Sequence, residues 1–243
     1  MDFKLYKVGG YVRDKMLGIK SNDIDYTVVA SKVNGITTDA IFNTFVDYLK
    51  DKGFKIFQIR PEFFTIRARF HDNNEVADFV LARKEIGYKE GTRQPIVVAG
   101  NLYDDLYRRD FTINAIAENT EGGIIDYFNG VDDLEKGIIR SVYPDSLKTF
   151  IDDPLRILRA LRFAHRFNFT LDKNIEQAIT DFDISLMKKV SDERIMVELD
   201  KMLKTNTLRF FDTLNLLKKL NYDLYNYILT RDFYFKTTTK KKK

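Results

Sequence analysis

KVGGYVRDKMLGIKSNDIDYTVVA, residues 7–30, packs a glycine pair, an arginine and an Asp-x-Asp into one short stretch. LYKV and IDYTVVA read as strands, being β-branched or aromatic and bounded by turn residues, and residues 10–17 read as a helix. A strand, then Gly9-Gly10, then a helix gathers free backbone N–H groups and the positive end of a helix dipole at one spot. A side chain at position 10 would block close approach of a phosphate. Arg13, one helical turn in, shares the face of Gly10 and offers a bidentate phosphate grip. The plain alternative is a helix start with Gly as N-cap. Neither G-K-[ST] nor G-x-G-x-x-G is present, so this is not one of the common phosphate-binding loops. Side chains alternate faces along a strand, so Asp23 and Asp25 project to the same side. Two carboxylates that close repel each other unless cations sit between them, and hard oxygen ligands select Mg²⁺. Asp78, inside EVADFVLA, adds a third carboxylate from a neighbouring strand. Three acids on one sheet face can hold two metal ions about 3.5–4 Å apart, the arrangement that serves phosphoryl transfer. Taken alone, NDID is a common polar turn. The spacing from GGYVRD to DID raises the signal.

Composition limits the alternatives. The 243 residues are 44% apolar and 31% charged, a globular balance long enough for one or two domains. No apolar run approaches the ~18 residues of a membrane span, and the N-terminus lacks the build of a signal peptide. The absence of cysteine excludes disulfides and thiolate metal sites. His71 and His165 are too few for a zinc centre. A soluble, cytoplasmic protein is expected. The net charge of +4 is uneven: residues 201–243 hold 11 Lys or Arg against 3 Asp. A basic end on a near-neutral body suits a polyanion such as RNA, although the final TTTKKKK reads more simply as a solvated tail.

Two textures divide the chain. Residues 1–143 alternate short strands (LYKV, IDYTVVA, FKIFQI, FFTIRARF, EVADFVLA) with helical patches at 10–17 and 38–51. FFTIRARF, HDNN and EVADFVLA form an antiparallel hairpin with a polar turn. KEIGYKEGTRQPIVVAGN, with glycines at 87, 91 and 100, reads as a long functional loop that moves. From residue 144 strand signals vanish, and apolar residues recur at i, i+3, i+4 in DPLRILRALRFAHRF and SDERIMVELDKMLK. That half, 144–243, reads as all-helical. His165 reads as packing.

GGYVRDKMLGIKSNDIDYTVV, LYRRDFTINAIAEN, DYFNGVDDLEKGIIRSV, DDPLRILRALRFAHRF and SDERIMVELDKML occur in that order. Together they resemble the bacterial-type (class II) tRNA CCA-adding nucleotidyltransferases and their relatives, the bacterial poly(A) polymerases. The resemblance implies an α+β fold: a polymerase-β-like nucleotidyltransferase head on a mixed five-stranded sheet, then a helical neck and body. It implies that Asp23 and Asp25 bind Mg²⁺, two ions in all, and that Gly9, Gly10 and Arg13 hold a triphosphate. Asp78 becomes the third acid, with Glu75 and Glu85 as neighbouring alternatives. In LYRRDFTINA the resemblance assigns Arg109, Asp110 and Asn114 to the nucleotide, at its ribose. Asp110 and Asn114, four apart, would share a helix face. DYFNGVDDL resembles the hinge between head and neck.

In DDPLRILR, Pro154 suits the first turn of a helix, so Asp153 and Arg156 point the same way. Aspartate only accepts hydrogen bonds and arginine only donates them. Cytosine and adenine present an amino group beside a bare ring nitrogen, whereas guanine and uracil present a carbonyl beside a ring N–H. An Asp–Arg pair therefore suits C and A. The plain alternative is a surface ion pair. The resemblance places Asp153 and Arg156 at the incoming base, with Arg159 nearby. It gives Glu193 and Arg194, after an imperfect capping box at Ser191, a supporting role. The activity implied is template-independent addition of CMP and AMP, from CTP and ATP, to the 3′ end of tRNA. A poly(A), A-only or CC-only adding enzyme is the alternative, and a non-catalytic RNA-binding relic is a further one. Family members run well past this length, so the RNA grip is expected to be confined to the acceptor end or completed by a dimer or second chain.

Overall fold

A computed structural model of the chain describes residues 1–21, 23–70, 75–88 and 95–231. It divides into two compact units, Met1–Leu134 and Glu135 onward.

The first unit contains, in chain order, β1 (Phe3–Val8), α1 (Gly10–Met16), β2 (Ile24–Ala30), α2 (Thr38–Asp51), β3 (Lys55–Arg60), β4 (Thr65–Arg69) and β5 (Val76–Leu81). Then come β6 (Arg83–Tyr88), β7 (Pro95–Ala99), α3 (Leu102–Tyr107), β8 (Ile116–Glu118), β9 (Ile124–Asp126) and α4 (Gly130–Lys136), which runs past the boundary. The main sheet runs β3-β4-β5-β2-β1-β8-β9, with β2 and β5 parallel and the other neighbours antiparallel. It has seven strands where five were expected. The five read from the sequence are β1–β5. The other two, β8 and β9, are three residues each, too short to show a period of two.

One face of the sheet is apolar because the strands alternate. Ile24, Tyr26 and Val28 from β2, Ile66 and Ala68 from β4, and Ala77, Phe79 and Leu81 from β5 are all buried in one cluster. α2 closes it with Ile41, Phe42, Phe45, Val46 and Leu49, a stripe at helical spacing. Thr37 caps that helix through the Ala40 N–H. Each of these large side chains contributes roughly 1.5–3 kcal/mol on burial. The residues between them, Asp25, Arg67 and Asp78, face the other way.

The expected hairpin is present: β4 and β5 pair antiparallel from Thr65↔Val80 to Arg69↔Val76. Its HDNN turn, with His71, lies outside the described residues. The stretch read as a moving loop differs from expectation. Arg83–Tyr88 and Pro95–Ala99 pair as an antiparallel two-stranded ladder, β6–β7, with a register shift between Glu85 and Gly87. The strand signal for β7 is the β-branched IVV run that follows Pro95. Residues 89–94 lie outside the description.

The second unit is helical, as read: α5 (Ser146–Asp152), α6 (Leu155–Phe167), α7 (Lys173–Thr180), α8 (Ile184–Met187), α9 (Asp192–Thr205), α10 (Thr207–Leu220) and α11 (Tyr222–Leu229). One departure is a two-residue parallel pairing of β10 (Ile138–Ile139) with β11 (Thr170–Leu171), again below the length at which a strand signal exists. Asp145, Asp172 and Asp183 cap α5, α7 and α8, and Asn206 and Asn221 cap α10 and α11. Ser191, by contrast, starts α9 without a side-chain cap bond, so the expected capping box is not formed. A buried ion pair, Arg162 Nε donating to Glu198 Oε2, ties α6 to α9. His165 is buried, with Nδ1 3.3 Å from Thr213 Oγ1. Burial lowers its pKa, which fits a packing role.

Candidate active site in the first unit

The centre of the site follows from strand register. β1 pairs with β2 so that Val8 lies opposite Asp25, and β2 pairs with β5 so that Asp25 lies opposite Asp78. The turn at Gly9 therefore begins beside Asp25, and Asp78 sits one strand further on. Asp23 and Asp25 are exposed while Ile24 between them is buried, the alternation expected of one shared face. Asp78 is half-buried and accepts from Arg67 Nη1 at 3.1 Å. Although Asp25 as a whole is exposed, its carboxyl loses hydration among its neighbours, and that desolvation, with Asp78 and Asp23, raises its pKa against the pull of Arg109 and Arg67. Repulsion among three acids is the electrostatic condition a cation relieves.

Gly9 has φ +69°, a left-handed conformation, and a Cβ there would sit 2.8 Å from Arg109 Nη1. Glycine is required on both counts. Gly9→Ala is expected to cost about 1–3 kcal/mol and to push Arg109 aside; urea unfolding and nucleotide titration check the two effects separately.

Arg109 is held from behind by a cluster that sequence reasoning missed. Asp105 is fully buried and accepts from Thr27 Oγ1 at 2.7 Å, Arg109 Nη2 at 3.0 Å and the Arg108 guanidinium. Burial alone would raise the Asp105 pKa, but Arg109, Arg108 and the Thr27 hydroxyl outweigh it and hold the carboxyl far below its ordinary range. Arg109 Nη1 also donates to the Asn114 carbonyl at 3.4 Å. The signal for Asp105 was present in LYDDLYRR, where it stands three and four residues before Arg108 and Arg109, the spacing of helical ion pairs. Thr27 was visible as a lone hydroxyl in IDYTVVA.

Asp110 and Asn114 come together, with Asn114 Nδ2 donating to Asp110 Oδ1 at 2.9 Å. They do so across a 3₁₀ turn, Thr112–Asn114, and not along one α-helical face as expected, because α3 stops at Tyr107. Arg13, expected to offer a bidentate phosphate grip, is engaged within the protein. It is 4% exposed, its Nε and Nη2 donate to Asp14 Oδ1 at 2.8 and 2.6 Å, and its Nη1 donates to Asn114 Oδ1. Arg13 thus braces α1 to the Asp110–Asn114 turn. Gly10 lies close to it, an added Cβ falling 3.4 Å from Arg13 Nη2. In the hinge motif, Asp126 accepts from the N–H groups of Phe128, Gly130 and Val131.

In the second unit, Asp153 lies between α5 and α6, accepting from the Leu155 N–H at 3.3 Å through its carboxylate and from the Arg156 N–H at 2.9 Å through its carbonyl. Its carboxylate also pairs with Arg194 Nη2 at 3.1 Å. Arg159 lies over the Phe163 ring, 5.4 Å from its centroid. Glu193 is exposed on the first turn of α9 and joins no ion pair among the described residues.

Among the described residues no three acids or histidines lie close enough to hold a metal by themselves. Mg²⁺ characteristically takes one or two carboxylates and completes its shell with water and substrate phosphates. The hard-oxygen donors Asp23 and Asp25, with Asp25 destabilised by its acidic neighbours, fit that manner of binding.

Residues 5–140 match the poly A polymerase head domain, and residues 168–229 match the probable RNA and SrmB-binding site of polymerase A. The chain belongs to the poly A polymerase head-domain family. Among its curated relatives is the CCA-adding enzyme of Lactobacillus helveticus, 38% identical over 201 residues, which cover 82% of this chain and 46% of that enzyme. The solved structure of the Bacillus stearothermophilus CCA-adding enzyme in complex with CTP is similar at TM-score 0.68 and 30% identity, over 89% of this chain and 48% of that one. The Thermotoga maritima CCA-adding enzyme complexed with tRNA-CCA is similar at TM-score 0.67 and 28% identity, over 96% and 50%. The chain spans about half the length of these relatives.

Proposed function

We propose that the chain transfers CMP and AMP from CTP and ATP to the 3′ end of tRNA, without a template, in the cytoplasm. The observation that carries this reading is the register that sets Asp25 against Asp78 on one strand and against the Gly9 turn on the other. The matches to CCA-adding enzymes across four-fifths or more of the chain support it. Asp23 and Asp25, with Asp78 beside them, would hold two Mg²⁺ ions. When bound, these ions supply positive charge to the reacting phosphate and acidify the RNA 3′-hydroxyl. The protein's own residues do the placing. Arg109, fixed by Asp105, offers its charge beneath the Gly9 turn to the triphosphate. Gly9 and Gly10 leave the backbone open to it. The Arg13–Asn114–Asp110 chain of hydrogen bonds fixes the turn against which the ribose rests.

Base choice falls to Asp153 and Arg156 in this reading, with Arg159 alongside and Arg194 holding the Asp153 carboxylate. Asp153→Ala is expected to lower discrimination of CTP and ATP against UTP and GTP by about tenfold or more. Misincorporation on one tRNA substrate, measured for each nucleotide alone, checks it. The function itself is tested with a tRNA lacking its CCA end, Mg²⁺ and labelled nucleotides. CTP alone should add a short fixed extension, and CTP with ATP should complete it. A long ladder from ATP alone would indicate a poly(A)-adding enzyme, and no extension at all would refute the proposal.

A further inference from the structure

The ladder that aligns Asp25 with Asp78 continues to the edge of the sheet. Asp78 of β5 lies opposite Arg67 of β4, and Arg67 lies opposite Gln58 of β3. Arg60 of β3 is opposite Thr65 of β4. Gln58, Arg60, Thr65, Arg67 and Asp78 line one small notch of about 50 Å³. That exceeds the ~10–15 Å³ of such space that one water needs, so the notch admits a phosphate oxygen or a sugar hydroxyl. Its donors suit such a guest: two guanidinium groups, an amide and a hydroxyl. Arg67 is engaged by Asp78. The Arg60 side chain is exposed and makes no hydrogen bond or ion pair with any described residue.

The two sides of the acid row are chemically distinct. Gly9 and Arg109 lie toward β1, whereas the notch lies beyond Asp78, toward β3. In phosphoryl transfer the attacking and leaving oxygens are roughly in line on opposite sides of phosphorus. With the triphosphate at the Gly9 turn, the strand that brings the attacking hydroxyl must arrive from the side of the notch. We infer that the Gln58–Arg60–Arg67 notch is a subsite for the sugar-phosphate backbone at the 3′ end of the RNA, with Arg60 its principal phosphate contact. This rests on the nucleotidyl-transfer reading above.

The test compares wild type with Arg60→Ala and Arg60→Lys. Binding of a tRNA lacking CCA is measured by fluorescence anisotropy in EDTA over a salt series, and CTP binding is measured separately without RNA. Arg60→Ala should flatten the slope of log K against log salt by about 0.7–0.9, the loss of one phosphate contact. It should raise the KM for tRNA on the order of tenfold with the KM for CTP unchanged. Arg60→Lys should restore the salt slope. Unchanged slope and unchanged tRNA KM in Arg60→Ala would overturn the inference, as would weakened CTP binding with tRNA binding intact. A wild-type chain that binds tRNA yet adds no nucleotide would instead refute the activity, and the salt slope would still judge the notch.

Discussion

Asp25→Asn should reduce nucleotide incorporation by on the order of a thousandfold or more while leaving the chain at least as stable as wild type. Both halves of that result come from one feature. Desolvation of the carboxyl, with Asp78 and Asp23, raises the Asp25 pKa, so between the ordinary carboxylate value and the raised one the folded chain binds more protons than the unfolded chain. Stability contributed by this group therefore falls as pH rises through that window, and the penalty is complete above it. Asparagine removes the penalty. Thermal unfolding across pH checks this: the substituted chain should match or exceed wild type at neutral pH, and the difference should close as pH drops through the carboxylate range. A site that is stabilised by losing its charge is a site held in tension for a ligand.

Asp105→Asn should have the opposite character. Asp105 is inaccessible to water and carries two arginines and a threonine hydroxyl. Removing its charge takes the shared carboxylate from two half-buried guanidinium groups, which is expected to cost about 1–3 kcal/mol. Its folded pKa is depressed, so its contribution is fully present above the ordinary carboxylate value and is lost as pH falls below it. Urea unfolding at neutral pH should show the loss, and the wild-type and substituted chains should converge in acid. The exposed pair Asp47–Lys50 provides the control, since Asp47→Asn should change stability by no more than roughly 0.5 kcal/mol. Incorporation should also fall in Asp105→Asn because Arg109 loses its anchor, with the KM for CTP rising.

These two aspartates show what the sequence makes legible. Asp25 could be read because its meaning is local: two acids one residue apart in a strand must share a face, and a glycine turn lies close by in the chain. β1 to β5 could be read for the same reason, each a run of five to seven residues rich in β-branched and aromatic side chains. For Asp105 only the spacing to Arg108 and Arg109 is local; its contact with Thr27, 78 positions away, has no pattern in LYDDLYRR to announce it. The surroundings of Arg13 could not be read for a related reason. Its helical position faces Gly10, as expected, but the length and donor count of arginine also let it reach Asn114, 101 positions away. Short strands such as β8 and β9 carry too few residues for any period, so the sheet grew beyond the expected five. The register itself, Asp25 against Asp78, depends on a parallel pairing across a long crossover; a third acid was foreseeable, its exact opposition was not.

The most direct measurement is Mn²⁺ binding, followed by electron paramagnetic resonance, in the presence of a non-reactive CTP analogue. Wild type should bind about two ions per chain, and Asp25→Asn, folded and stable, should bind markedly fewer. Equal binding by the two chains would contradict the assignment of the β2 carboxylates as the cation site.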